Sequence, residues 1–182
     1  MAYFDTAIIY GEQAENATLL AKAASNTASI YYRYGNYAKA LKSYLLSLDN
    51  HIKAVNREDV ESSLLNIANV YYKLQDYTKA VYYLDSCSNY GGKHAAGSSR
   101  ISIATTYSMI YDKQEKHDSA LIYQNRALAI AKGLKSAFLV NLVHQNIAEC
   151  YFNLNELDKS LQLYQASVEE SARLQDAEGI AV

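Results

Sequence analysis

Proline is absent from the 182 residues, where average usage of roughly 5% would place about nine. Helices can therefore run unbroken through most of the chain, because proline removes a backbone donor and clashes with the preceding turn. Tryptophan is absent too, and three phenylalanines stand against eighteen tyrosines. A core lined by phenols must leave their hydroxyls at water or at a partner, which suits thin layers of helix with edges near solvent. The two cysteines, Cys87 and Cys150, fall on helical positions that read as small core residues, so no disulfide is expected and the redox compartment stays open. No apolar run reaches 18 residues, and Asp5, Glu12 and Glu15 stand where a signal peptide would be apolar. No membrane insertion by this segment is expected. A net charge of −2 creates no basic field, and no Lys/Arg cluster is interleaved with aromatics, so no nucleic-acid partner is expected either.

What the chain does have is repetition. The stretch Asn69-Val70-Tyr71-Tyr72-Lys73-Leu74-Gln75-Asp76-Tyr77-Thr78-Lys79-Ala80 returns as Ser29 to Ala40 and as Glu149 to Ser160, with a more diverged copy from Met109 to Ala120. Tyr31, Tyr71, Tyr111 and Tyr151 follow one another at forty residues without an insertion. Such a period marks a solenoid, in which each unit buries its apolar face against its neighbours.

The first whole unit, 16–55, carries Leu20, Ala24, Ala28 and Tyr31 on one helix face. It turns at Gly35 and Asn36, which tolerate left-handed backbone, and continues with Tyr37, Ala40, Leu41, Tyr44 and Leu48 inward. Units at 56–95, 96–135 and 136–175 repeat this αα-hairpin. Residues 2–15 match a second helix, with Phe4, Ala7 and Ile8 in the register of Tyr44, Ser47 and Leu48; residues 176–182 match the start of a further unit. Ser88 to Arg100, with Asn89-Tyr90-Gly91-Gly92, reads as a loop and the first turn of the next helix. The expectation is an all-α chain, a single array over 1–182 of antiparallel helix pairs: four full units plus a leading half unit, with nine substantial helices.

An aromatic-rich first helix, a turn with Gly, Asn or Asp, and Tyr-x-Lys-Ala opening a second helix resemble the tetratricopeptide repeat. The family's small first-helix residue falls on Ala28, Ala68, Ser108 and Ala148, its aromatic on Tyr31, Tyr71, Tyr111 and Tyr151, and its second-helix alanine on Ala40, Ala80, Ala120 and Ser160. The usual period of about 34 is exceeded and the family's proline is missing in all units. The two departures agree, since about six more residues lengthen the second helix by about 9 Å and a proline inside it would break it. Armadillo and HEAT units share the period but not the Tyr-x-Lys-Ala phase. The resemblance implies a right-handed superhelical solenoid and a concave groove for protein or peptide. It places Tyr32 and Arg33 of the first unit, Asn66, Asn69, Tyr72 and Lys73 of the second, Thr105, Met109 and Asp112 of the third, and Gln145, Glu149 and Phe152 of the fourth in that groove. Amides and tyrosines suit an extended peptide, although a solvated helix face is polar in any case. The lysine with which relatives clamp chaperone tails is replaced by Ser25, Leu65, Thr105 and Gln145, against that ligand.

Chemistry finds little purchase. Gly92-x-x-x-x-Gly97-Ser98-Ser99 lacks the lysine of a phosphate loop and no strand precedes it. His144, Glu149 and Cys150 point to diverging helix faces, so His144 reads as a core histidine and no metal is expected; His117-Asp118 replaces a tyrosine at a turn. No Ser/His/Asp or Cys/His set comes with a scaffold to assemble it, so neither catalysis nor a cofactor is expected. The reading is a non-catalytic binding segment of a larger signalling protein, the sensory region of a bacterial transcription regulator or sensor histidine kinase. A free-standing adaptor is the alternative and a small enzyme the remote one. The compartment stays open between cytoplasm and an extracytoplasmic sensor region. Phe4 and Ile8 at one end, Leu161 and Val168 at the other, are expected to lack a covering helix and to favour weak self-association.

Overall fold

The computed structural model describes residues 15–92 and 96–179 together with Thr6, Ile9 and Tyr10, all helical or in turns, with no strand among them. Eight helices follow one another: α1 Ala17–Arg33, α2 Tyr37–Lys53, α3 Arg57–Lys73, α4 Tyr77–Gly91, α5 Gly97–Lys113, α6 His117–Gly133, α7 Ala137–Asn153 and α8 Leu157–Gly179. Of the helix expected at 2–15, only Thr6, Ile9 and Tyr10 are described; Phe4 and Ile8 lie outside the described residues. The chain divides into two compact units, 1–95 and 96–182. In the first, α1 packs on α2, α2 on α3 and α3 on α4; in the second, α5 packs on α6, α6 on α7 and α7 on α8.

Every helix starts twenty residues after the one before it, so the forty-residue repeat is built of two equal halves. The added length is therefore shared by both helices of a pair and not carried by the second alone. The connection is a three-residue turn whose central residue is left-handed: Gly35, Val55, Gln75, Glu115, Lys135 and Asn155 have φ of 73°, 55°, 61°, 59°, 54° and 60°. Only one of these is glycine. The strain elsewhere is held by the paired bonds of a Schellman ending, as where Gln75 N–H donates to Tyr72 O and Asp76 N–H to Tyr71 O, both at 3.0 Å. The third turn residue then caps the next helix. Asn16, Asn36, Asn56, Asp76 and Ser136 each accept a bond from the backbone N–H three residues on.

Two sequence expectations change here. Ser88 to Gly91 is helical, because α4 continues to Gly91 before Gly92 turns left-handed at φ 53°, so the breaker cluster ends a helix and is not itself a loop. Residues 176–179, expected to open a further unit, extend α8 to Gly179; Leu, Gln, Ala and Glu are strong helix formers and Gly179 is the first breaker.

The Tyr-x-Lys-Ala phase has a physical meaning. Ala40, Ala80 and Ala120 are fully buried, leaving room for the facing helix. The lysine before each of the first two lies over the tyrosine of the preceding helix: Lys39 over Tyr31 and Lys79 over Tyr71, both at 5.3 Å, and Lys159 likewise over Tyr151 at 5.1 Å. In the third copy Ser119 replaces the lysine, and Lys116 from the turn covers Tyr111 at 5.9 Å. Lys116 stands at a cap position and makes no capping bond. Tyr71 is half-buried, less than the register implied, and its ring stacks on Tyr83 at 5.4 Å; Tyr111 stacks on Tyr123 in the same way at 5.3 Å. Gly97 opens α5 where a Cβ would come within 2.7 Å of the Leu134 side chain, so a larger residue there would displace leucine.

Candidate functional site

None of the twelve residues expected in a groove is buried. Tyr32, half-buried, packs against the core cluster around Ala28, Ala40 and Tyr44. In the first unit Tyr32 meets Tyr37 edge to face at 5.5 Å, and Tyr72 meets Tyr77 at 6.1 Å. Burial, and then the hydroxyls of Tyr37, Tyr44 and Tyr72, push the Tyr32 phenol above its ordinary range, which places Tyr32 and Tyr72 on one surface across α1 and α3. That phenol remains a donor at neutral pH. Lys73 lies over the Tyr72 ring at 5.7 Å, Arg33 stands exposed, and Asn66 and Asn69 are half-buried one turn before.

In the second unit the same positions carry a different chemistry. Asp112 occupies the place of Tyr32 and Tyr72, and His117 the place of Tyr37 and Tyr77. The ring pair becomes a hydrogen-bonded one, with His117 Nδ1 2.9 Å from Asp112 Oδ1. Asn153 of α7 donates to the same carboxylate oxygen at 2.7 Å, joining the faces of α5 and α7. Thr105 and Gln145 are half-buried, while Met109, Glu149 and Phe152 are exposed, Phe152 by 60%. The structure thus brings together Tyr32, Tyr37, Tyr72 and Tyr77 in one unit, and Asp112, His117 and Asn153 in the other.

His117 and Asn153 were missed as site residues. The signal was present, since Tyr→Asp and Tyr→His change together at an offset of forty, five residues apart within one turn. A second arrangement was also missed. In the first unit His51 Nδ1 lies 3.0 Å from Ser63 Oγ, and Nε2 lies 3.7 Å from Asp59 Oδ2, so a Ser/His/Asp series is assembled after all. Ser63 and His51 are 2% and 4% exposed, and 3.7 Å is too long for a hydrogen bond. A buried hydroxyl that no substrate can reach makes this series a polar joint between α2 and α3; Ser47 Oγ lies 3.4 Å from His51 Nδ1 and donates to Ala21 O of α1 at 2.9 Å. Cys87 and Cys150 are free and buried, the former donating to Glu61 O at 3.3 Å. Burial, and then the Glu61 charge, push the Cys87 thiol up to about 11, and burial likewise raises Cys150. His144 is half-buried, less enclosed than a core histidine; burial and the Lys132 ammonium hold it below the ordinary histidine range. Among the described residues no three His, Cys, Asp or Glu gather as metal ligands, and no helix is long and apolar enough to cross a membrane.

Stacked antiparallel helix pairs, each first helix presenting a polar face, define a helical-repeat protein of the α-solenoid class. A family model described as tetratricopeptide repeat matches residues 19–90 and again 59–133, and the chain belongs to that family. No curated protein matches it. Among solved structures it is similar to BtubC (BKLC) from P. vanneervenii, with TM-score 0.74 and 20% identity over 88% of this chain and 66% of that one. It is similar to aspartyl phosphate phosphatase F from Bacillus subtilis, with TM-score 0.77 and 14% identity over 92% and 44%. It is similar also to a Rap protein complexed with Competence and Sporulation Factor, with TM-score 0.74 and 15% identity over 86% and 44%. The chain spans about two thirds of the first and less than half of the other two. Identities this low show the fold alone.

Proposed function

We propose that the chain is a non-catalytic protein- or peptide-binding repeat segment, with its ligand lying along the groove positions of the first helices. The observation that carries this is that tyrosines, amides and charges recur at these positions of the first helices and that none of them is fully buried. The Rap complex, whose fold this chain shares, supports the reading. Sensory duty in a signalling protein, as in transcription regulators or sensor kinases, is the setting we infer. Each unit selects differently: phenols with Arg33 and Lys73 in the first suit acidic and amide-rich sequence, and Asp112 with Glu149 in the second suits a lysine or arginine. Panning the full chain against displayed twelve-residue peptides tests this. Enriched peptides should bind at least about tenfold more weakly to Tyr72→Ala and to Asp112→Ala, the loss of one charge-assisted contact. Binding unchanged in both variants would move the ligand off this face.

A second surface supports self-association. Leu157, Leu161, Tyr164 and Val168 form one stripe of α8, and Leu161 and Val168 are 58% and 70% exposed. In α2 the same register holds Tyr37, Leu41, Tyr44 and Leu48, all at least half-buried beneath α3. A strip of a few hundred Å² at about 25 cal/mol per Å² favours covering by several kcal/mol before the entropy of association is subtracted. Weak dimerisation that Val168→Glu abolishes is the expected outcome in sedimentation. A strictly monomeric parent, or a dimer lost only with Tyr72→Ala, would reject it.

A further inference from the structure

A cleft of about 460 Å³ opens in the second unit, away from the face just described. Its walls are Lys132 and Lys135 from the end of α6 and the turn after it, Ala137, Val140, Asn141 and His144 along α7, and Ala166, Glu169, Glu170 and Arg173 along α8. None of the twelve groove residues lines it. The volume falls within the roughly 300–1,000 Å³ of pockets that hold small molecules.

In the first unit a side chain bridges the same place. Eighty residues earlier, Arg57 stands where Ala137 does and Tyr90 where Glu170 does. Arg57 Nη2 donates to Tyr90 O at 3.0 Å, and the guanidinium lies over the Tyr90 ring at 5.6 Å. Alanine cannot span that distance. Three apolar residues of the first unit, Ile52, Val55 and Leu64, are matched by Lys132, Lys135 and His144. The bridge is gone, and polar groups replace apolar ones around the space it left.

Two of the charges lining the cleft pair with each other: Arg173 Nη1 lies 3.7 Å from Glu170 Oε2. Lys132, Lys135 and Glu169 make no ion pair among the described residues, so the cleft is lined by two lysines on one wall and by a carboxylate on another whose charges no such pair uses. A bare polyanion would meet Glu169 and Glu170, and a bare cation would meet the lysines. We infer that this cleft binds a small zwitterion, an amino acid or short peptide, with its carboxylate on Lys132 and Lys135 and its ammonium on Glu169. The inference is independent of the proposed peptide face and involves none of its residues.

The test uses the full chain and three calorimetric probes: alanylalanine, its N-acetyl acid and its C-terminal amide. The zwitterion should bind, and each singly charged analogue should bind roughly fivefold or more weakly. Two variants restore the first unit's chemistry: Lys132→Ile with Lys135→Val removes the cations, and Ala137→Arg with Glu170→Tyr rebuilds the bridge. Each should weaken alanylalanine about tenfold or more, with circular dichroism confirming the fold. Either variant suffices if the other fails to fold, and the Glu169→Gln variant should lose the preference for the zwitterion over the acetylated acid. Absence of binding by alanylalanine, by free glutamate and by glycyllysine overturns the inference. Equal binding by the acetylated acid, or undiminished binding in the folded variants, overturns it as well.

Discussion

The two compact units share one backbone cadence and differ in what they place on it. In the first, all four described helices start on an Asn or Asp whose side chain bonds the third residue on, and a buried His51–Ser63 contact locks α2 to α3. In the second, Ala96 and Lys116 make no side-chain cap, and α6 and α7 meet through Ala127, Ala131, Val143 and Ile147 with partly buried leucines around them. The same divergence reaches the surface, where ring pairs give way to Asp112–His117 and the Arg57–Tyr90 bridge to an open cleft. The Schellman turns and the fully buried alanines stay. A repeat fold is therefore carried by turn geometry and small residues, and positions that do neither are free to change chemistry.

The sharpest way to break this comparison is to remove the shared element. Ala80→Arg places a charge where the side chain is fully buried, and should destabilise the first unit by several kcal/mol; Ala120→Arg should do the same to the second. Circular dichroism melts read both, and a melt like the parent's would show that the alanine is not the packing point. Next comes Ile67→Ala, in a fully buried site of the first unit, at about 2–5 kcal/mol in the same measurement.

The caps come third. Asn56→Ala should cost about 1 kcal/mol in the first unit, whereas Lys116→Asn should gain up to about that amount in the second, less whatever its contact with Tyr111 contributed. Denaturant titration distinguishes gain from loss. If Lys116→Asn destabilises instead, the lysine's place over Tyr111 outweighs the missing cap.

Titration should produce effects that vanish near neutral pH. Cys87 keeps its proton up to about 11 in the fold, against 9.0 for the free thiol. Its contribution is fully present below pH 9 and is lost as pH rises through the folded value, and alkylation of the native chain at neutral pH should be slow. His144 runs the other way. Its folded value is lowered from 6.5, so its neutral form favours the fold above pH 6.5, and stability of the second unit falls as acid protonates the unfolded chain first. The His144→Gln variant should flatten that acid limb in a melt series; an unchanged limb would assign it to other groups.

Much of this fold was legible before any coordinates. The forty-residue return of tyrosine and alanine named the helices, their pairing and the inward faces, because an αα-hairpin leaves its period in the sequence. The finer period of twenty was harder to see. The left-handed residue of each turn is Gly once and Val, Gln, Glu, Lys and Asn elsewhere, so no residue type marks it. The Asp112–His117–Asn153 contact was not legible, since Asn153 and Asp112 lie 41 residues apart. The Ser63–His51–Asp59 contact stayed hidden because it crosses from α2 to α3, and periodicity along either helix does not show which side chains meet across the turn.

The sequence by itself determined the all-α class, the repeat and the family. Those follow from periodic burial and from the absence of proline, which act locally along each helix. Only the tertiary structure decided that Ser63 is buried beyond reach, that His117 and Asn153 converge on one carboxylate, and that Ala137 and Glu170 leave a cleft where Arg57 and Tyr90 meet. Each depends on which side chains two packed helices bring within bonding distance, and that distance is set by the packing and not by the order of residues along either helix.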